Sequence, residues 1–193
     1  MKLWTIQPIS VYKLIEKQGY YTCDEEKLRM ENDVFDSCFR DAYNWLIKEM
    51  AKRIGEPPEG VKYPVWAWHT YDWKRKSSDL RSRQGKPGEE MVRLEIEIPD
   101  DKVVLTDFDA WHFVLNNSYI SDCNNEEEYD KIMEWYDALD SKKREELKYE
   151  SWKSIFDLTP IDTDWITNGA YIQATFWRLD EENIKKVKFF KSR

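Results

Sequence analysis

Histidine is nearly absent from these 193 residues: there are two, His69 and His112, against three cysteines, six glycines and seven prolines. Cys23, Cys38 and Cys123 are odd in number, far apart and without a CxxC spacing, so neither a zinc ribbon nor a disulfide framework is supported. Reduced thiols in a cytoplasmic protein follow from that pattern. No apolar run approaches the ~20 residues of a membrane span, and Pro8 interrupts the start before a signal-peptide core forms. Net positive charge is missing too. At −8 overall, the molecule is not drawn as a whole to nucleic acid or anionic lipid.

Aromatic side chains are abundant, at 15% of the chain with ten tryptophans. Rings bring large buried area per residue and also line ligand clefts, and their number alone does not separate the two uses. Charge is uneven. Asp72–Lys86 holds six basic residues against two acidic, and Lys185–Arg193 adds five basic and no acidic one.

The pattern predicts one globular domain, 1–193, of α+β class: a mixed, largely antiparallel sheet packed by several helices. Leu3–Gln7 reads as a strand ended by Pro8. A short helix capped by Ser10 follows, closed by Gly19, and Tyr20–Cys23 returns as a strand. Phe35, Cys38, Phe39, Ala42, Leu46, Met50 and Ile54 recur at three and four residues, predicting a helix from about Asp33 to Ile54 that Gly55 and Pro57-Pro58 stop. Tyr63–Thr70 alternates, with Val65, Ala67 and His69 on one face and Trp66 and Trp68 on the other. Asp72–Gly88 has no periodicity and reads as a long exposed loop.

Met91–Ile98 is the plainest strand, with Arg93, Glu95 and Glu97 facing water. The short turn after it favours antiparallel pairing with the strand that starts at Val103. From Thr106 the period becomes helical, with Asp107 as the cap. Tyr129–Leu139 behind Asn125 and Glu128, and the Lys/Glu-rich Ser141–Tyr149, predict two more helices. Tyr171–Leu179 alternates, and Ile184–Phe190 is a possible last strand. Strands and helices mix without a βαβ rhythm.

Val103–Asn117 gathers the most chemistry. Asp107, Asp109 and His112 offer oxygen and imidazole groups that could hold a divalent ion, with His69 as a distant partner. The simpler reading makes the aspartates caps at a helix start and His112 a boundary residue. A second constellation joins Trp66 and Trp68 to Arg75, Arg81 and Arg83, because indoles stack on bases and guanidinium groups pair with phosphate. The alternative packs both tryptophans under a helix. Gln173, Thr175 and Trp177 share a late strand face that points either into a pocket or to water.

No nucleophile elbow or phosphate-cradling loop occurs. The expected site is a pocket for a nucleotide-type or other small anionic ligand, formed by Trp66, Trp68, Arg81, Asp107, Trp111, His112 and Gln173. His112 and Asp107 are its catalytic candidates; no cofactor, metal or oligomeric state is assigned. The alternatives are a non-catalytic module for an anionic polymer or protein partner, and a metal-assisted hydrolase.

Leu3-Trp4-Thr5-Ile6-Gln7, Asp79-Leu80-Arg81, Leu105-Thr106-Asp107-Phe108 with Trp111-His112, and Ile172-Gln173-Ala174-Thr175-Phe176-Trp177 together resemble an uncharacterised bacterial domain-of-unknown-function family. The resemblance spans essentially the whole chain. It implies a stand-alone bacterial domain and conveys no reaction. The opening strand, helix and Gly19 are also similar to the start of ADP-ribosyltransferase-like domains. Those enzymes usually place His or Arg on the first strand and a catalytic Glu on a later one, where this chain has Trp4 and Gln7, and Gln173.

Overall fold

The structure, a computed structural model, describes residues 1–23, 37–82 and 84–193. Strand β1 (Lys2–Pro8) runs straight into helix α1 (Ile9–Gln18). The helix therefore starts one residue before Ser10, and Pro8 stands at the cap with no side-chain bond. The expected Ser10 cap does not form. Gly19, at φ 85°, turns the chain left-handed and donates its N–H to Ile15 O at 2.7 Å, a geometry that costs glycine no Cβ clash. Strand β2 (Tyr20–Tyr21) follows. Helix α2 (Ser37–Ile54) buries Ala42, Leu46, Met50 and Ile54 at i, i+4 spacing. The expected stripe began at Phe35, outside the described residues, and Phe39 is 42% exposed.

Strands β3 (Val65–Thr70), β4 (Glu90–Glu97), β5 (Val104–Asp107), β8 (Ile172–Phe176) and β10 (Ile184–Lys191) join β1 in a six-stranded sheet of order β10-β4-β1-β3-β8-β5. Every pairing in it is antiparallel. The expected class, a single α+β domain with a largely antiparallel sheet, is the one observed. Strand β2 pairs with β9 (Leu179–Asp180), and β6 (Ile161–Asp162) with β7 (Thr167–Asn168).

The expected β4–β5 hairpin is not there. Strand β4 has β1 on one side and β10 on the other, and β5 lies at the far edge on β8. The connection turns through a 3₁₀ segment, Asp100–Lys102, and passes the end of β1, where Ile98 N–H bonds Met1 O. A short connection limits reach and does not dictate a neighbour.

Because side chains alternate across a strand, the sheet has two unlike faces. One is dry and aliphatic: Leu3, Val92, Leu94, Ile96, Val65, Ala67, Ala174 and Phe176 pack with Val11 and Ile15 of α1. The other carries most of the rings. Over its β3-β8-β5 half lie α2 and helix α3 (Phe108–Leu115), with Trp152 and Ile155 of the 3₁₀ segment Trp152–Phe156. Trp152 is fully buried, and its N–H donates to Ser118 O at 2.7 Å.

Helices α4 (Glu126–Asp137) and α5 (Ser141–Ser151) form as expected but bury no residue of their own. Over the β4-β1 part of the ring-bearing face lies the stretch around Arg75 and Ser77. Arg93, expected in water, is half-buried beneath it and donates to Ser77 Oγ at 2.8 Å. No helix among the described residues is long and apolar enough to cross a membrane.

Candidate functional site

Register places one residue from each strand in a single row across the ring-bearing face: Lys186, Glu95, Trp4, Trp68, Gln173 and Thr106. Trp66, Thr175 and Val104 form part of the next row. Helix α3 enters over these rows because Asp107 fixes its start. One carboxylate oxygen of Asp107 accepts from Ala110 N at 2.9 Å and the other from Gly169 N at 2.8 Å. With Asp107 buried, both oxygens are committed to holding backbone, which is the capping role of an aspartate at a helix start.

The helix sets Trp111 on Trp66, ring centroids 5.4 Å apart, and Phe108 on Trp68 at 5.2 Å. Tyr43 of α2 meets Trp66 and Trp111 edge-on, and Tyr71 meets Trp68 in the same way. His112 stands edge-on to Phe108 at 4.4 Å. The structure thus gathers Trp66, Trp68, Trp111, His112, Gln173 and the capping Asp107 around one strand–helix junction.

Three buried polar atoms in this cluster have no hydrogen-bond partner among the described residues: Thr106 Oγ1, Gln173 Oε1 and Trp66 Nε1. Thr106 is 0% exposed and directly opposite Gln173. A buried hydroxyl or amide left unsatisfied costs about 1–3 kcal/mol, so two side by side are uncommon. Trp66 is the least orphaned. Its indole lies near enough to Tyr43 to oppose the rise in that phenol's pKa, without meeting hydrogen-bond geometry. Burial dominates, with the Cys23 thiol adding to it, and Tyr43 is pushed up to about 12.

His112 itself is exposed, and its Nδ1 lies 2.8 Å from Phe108 O. A carbonyl only accepts, so Nδ1 carries the hydrogen and Nε2 holds the free lone pair in the neutral ring. Asp109, three residues away, has its pKa raised by burial of the carboxyl and then by the Asp107 charge, with His112 pulling the other way. The residue as a whole is exposed, so that burial is partial. Among the described residues no three His, Cys, Asp or Glu side chains converge as a metal site would require.

Arg81 is placed apart from these groups. Its side chain is 77% exposed and grips Asp79 through Nε at 2.9 Å and Nη2 at 2.6 Å. That pairing takes the Asp79 carboxyl down to about 2. The loop carrying Arg81 is tied to the β4–β10 flank, through Ser77 to Arg93 and through Gly88 N–H to Ser192 O. Asp107 and His112 stand at the opposite flank, on and after β5.

The loop cation that reaches the row is Arg75, which donates to His69 O at 2.5 Å and Lys2 O at 2.6 Å. Its guanidinium carbon lies 5.9 Å from the Trp4 ring centre. Arg83 lies outside the described residues. Trp177, expected beside Gln173, follows the strand end and is buried, with its N–H on Gly55 O.

Sequence reasoning passed over Thr106, although the signal was present. Two residues from Val104 in the strand Val103-Val104-Leu105-Thr106, it had to share the buried face of that valine. Trp4 and Phe108 carry no such mark, since a lone ring reads equally as core.

Sheet and helices define an α+β domain with a row of rings and polar groups across one face of its sheet. The chain belongs to the family described as Domain of unknown function (DUF3841), whose model matches residues 2–185. No curated protein and no solved structure matches it.

Proposed function

We propose that this protein binds a small, planar, hydrogen-bonding ligand of nucleotide type at the Trp68–Gln173–Thr106 row. The observation that carries this reading is a pair of orphaned atoms, Thr106 Oγ1 and Gln173 Oε1, on residues directly opposite each other across two strands. A donor-bearing ring edge satisfies both at once. Trp68 and Phe108 supply faces for stacking, worth about 1–3 kcal/mol per base. Arg75, beside Trp4, meets the anionic end and replaces Arg81 in that role. The Gln173 amide nitrogen is not among the sealed atoms, so the ligand enters from its side, and His112, packed on Phe108, offers Nε2 as a proton acceptor for any turnover. The metal-hydrolase alternative has no support in the geometry, because both oxygens of Asp107 already accept backbone N–H groups. The same reading keeps the chain in the bacterial cytoplasm.

Thermal-shift measurements with NAD, ATP and other nucleotides test the proposal. Ligand at 100 times its Kd stabilises the folded state by about 2.7 kcal/mol, so at least one nucleotide raises Tm, and Gln173→Leu removes that rise. No stabilisation by any of them at millimolar concentration refutes it.

A further inference from the structure

The edge of the sheet opposite the ligand row presents a second surface. Strand β10 is eight residues long, most of them exposed, and no described strand pairs with its outer side. An edge of this kind offers a row of backbone N–H and C=O groups to another chain. Register gives its two faces different chemistry. Val187 and Phe189 lie opposite Leu94 and Val92, on the α1 side, and are 36% and 56% exposed. Lys186 and Lys188 lie opposite Glu95 and Arg93, on the other side.

Between α1 and the start of β10 is a cavity of about 290 Å³ walled by Tyr12, Ile15 and Glu16 from the helix, by Glu181, and by Ile184 and Val187 from the strand, so its two carboxylates lie where the occupant's aliphatic residues, not its acidic ones, are placed. Tyr12 also meets Phe189 edge-on at 5.5 Å. The β-bulge between Ile184 and Lys186 breaks the ladder beside that cavity.

Charge selects the occupant. From Lys185 to Arg193 there are five cations and no anion, on a chain whose net charge is −8. Lys188 and Lys191 make no ion pair among the described residues, and Lys186 reaches Glu95 only at 3.4 Å. A second copy of β10 laid antiparallel on the first would bring four lysines on each strand together, and like charges on paired strands oppose association. The lysines that turn away a copy favour an acidic strand.

We infer that the outer edge of β10 and its groove with α1 dock an extended acidic peptide segment, which joins the sheet as a seventh strand. Its acidic residues face Lys186 and Lys188. Its alternate aliphatic residues face Val187 and Phe189, one of them entering the cavity against Tyr12 and Ile15. Main-chain bonds hold it, and the two faces set its pattern.

The test uses the full chain and a labelled, end-blocked octapeptide of alternating Glu and Val, followed by fluorescence anisotropy at low salt. Two comparators are the same peptide with Lys for Glu, and the Glu/Val peptide N-methylated at alternate residues so that its main chain cannot pair. The acidic peptide binds and slows hydrogen exchange of the β10 amides. Each comparator, and the doubly substituted Lys186→Glu/Lys188→Glu protein with the acidic peptide, binds at least about tenfold more weakly. The inference is overturned if the acidic peptide does not bind at millimolar concentration, or if either comparator binds as well. It is equally overturned if sedimentation shows a dimer that Phe189→Lys dissolves, since a second copy would then fill the edge.

Discussion

Replacing Thr106 by valine separates a hydroxyl kept for a ligand from one that holds the fold. The two side chains share shape and χ1 preference, and both suit a strand, so the change removes one oxygen and little else. Thr106 is 0% exposed and its Oγ1 has no described partner, which makes its burial a cost of about 1–3 kcal/mol to the folded state. Thr106→Val is therefore expected to stabilise the unliganded protein by about 1 kcal/mol, raising Tm by roughly 2–4 °C at this chain length. Urea unfolding should show a higher midpoint with an unchanged slope. Thr175 is the internal control: equally buried, it donates Oγ1 to Val104 O at 3.4 Å. Thr175→Val is expected to lose up to about 1 kcal/mol. Opposite signs at two buried threonines on neighbouring strands support the argument. A loss of 1 kcal/mol or more at Thr106 refutes it, because the hydroxyl would then be satisfied within the fold.

Asp107→Ala leaves two backbone N–H groups, of Ala110 and Gly169, without an acceptor and is expected to cost about 2–4 kcal/mol; chemical denaturation measures it, and Asp107→Asn, keeping one acceptor, should cost less. Arg75→Ala is expected to weaken the nucleotide-induced thermal shift, whereas Arg81→Ala leaves it unchanged and moves stability by less than about 0.5 kcal/mol. Burial, with the Arg75 charge second, holds His69 down to about 4 from its ordinary 6.5. The unfolded chain thus binds that proton more tightly than the folded one. Stability is full above about pH 6.5 and falls as pH drops towards 4. Denaturation midpoints taken across that window should slope less in His69→Gln.

Elements were legible wherever apolar residues recurred at the element's own period. Strand β4 shows this in Val92, Leu94 and Ile96, and α2 in Ala42, Leu46 and Met50. Strand order was not legible. The step from Ile98 to Val103 looks like a hairpin, yet both flanks of β4 are occupied by strands distant in sequence. Local spacing carries no information about which distant strand buries its face best. The Trp66/Trp68 alternation fixed a ring-bearing face correctly, while the choice among loop cations depended on the loop's path. Arg75 meets carbonyls of two strands, whereas Arg81 meets the aspartate two residues away; side-chain type is the same in both.

The two proposed surfaces lie at opposite ends of one sheet, and that arrangement makes their independence measurable. Strand β5 carries Thr106 and β10 carries Lys186 and Lys188, with β8, β3, β1 and β4 between them. At about 4.8 Å per strand Thr106 stands roughly 24 Å from β10 along the sheet, and the Arg75 end of the ligand site, beside Trp4 on β1, roughly 10 Å. Sites more than about 10 Å apart and without shared partners usually add within about 0.3–0.5 kcal/mol. A continuous row nevertheless joins them, from Lys186 through Glu95, Trp4, Trp68 and Gln173 to Thr106. Glu95 of that row pairs with both Lys2 and Lys186, and Lys2 Nζ in turn lies 5.3 Å from the centre of the Trp4 ring. We expect the acidic octapeptide to bind Thr106→Val as it binds the wild-type chain, and nucleotide to stabilise Lys186→Glu/Lys188→Glu undiminished. Measuring peptide affinity with and without saturating nucleotide closes the cycle. A change of more than about fivefold, a coupling of about 1 kcal/mol, would show that the row transmits and that the sheet is one device with two ends.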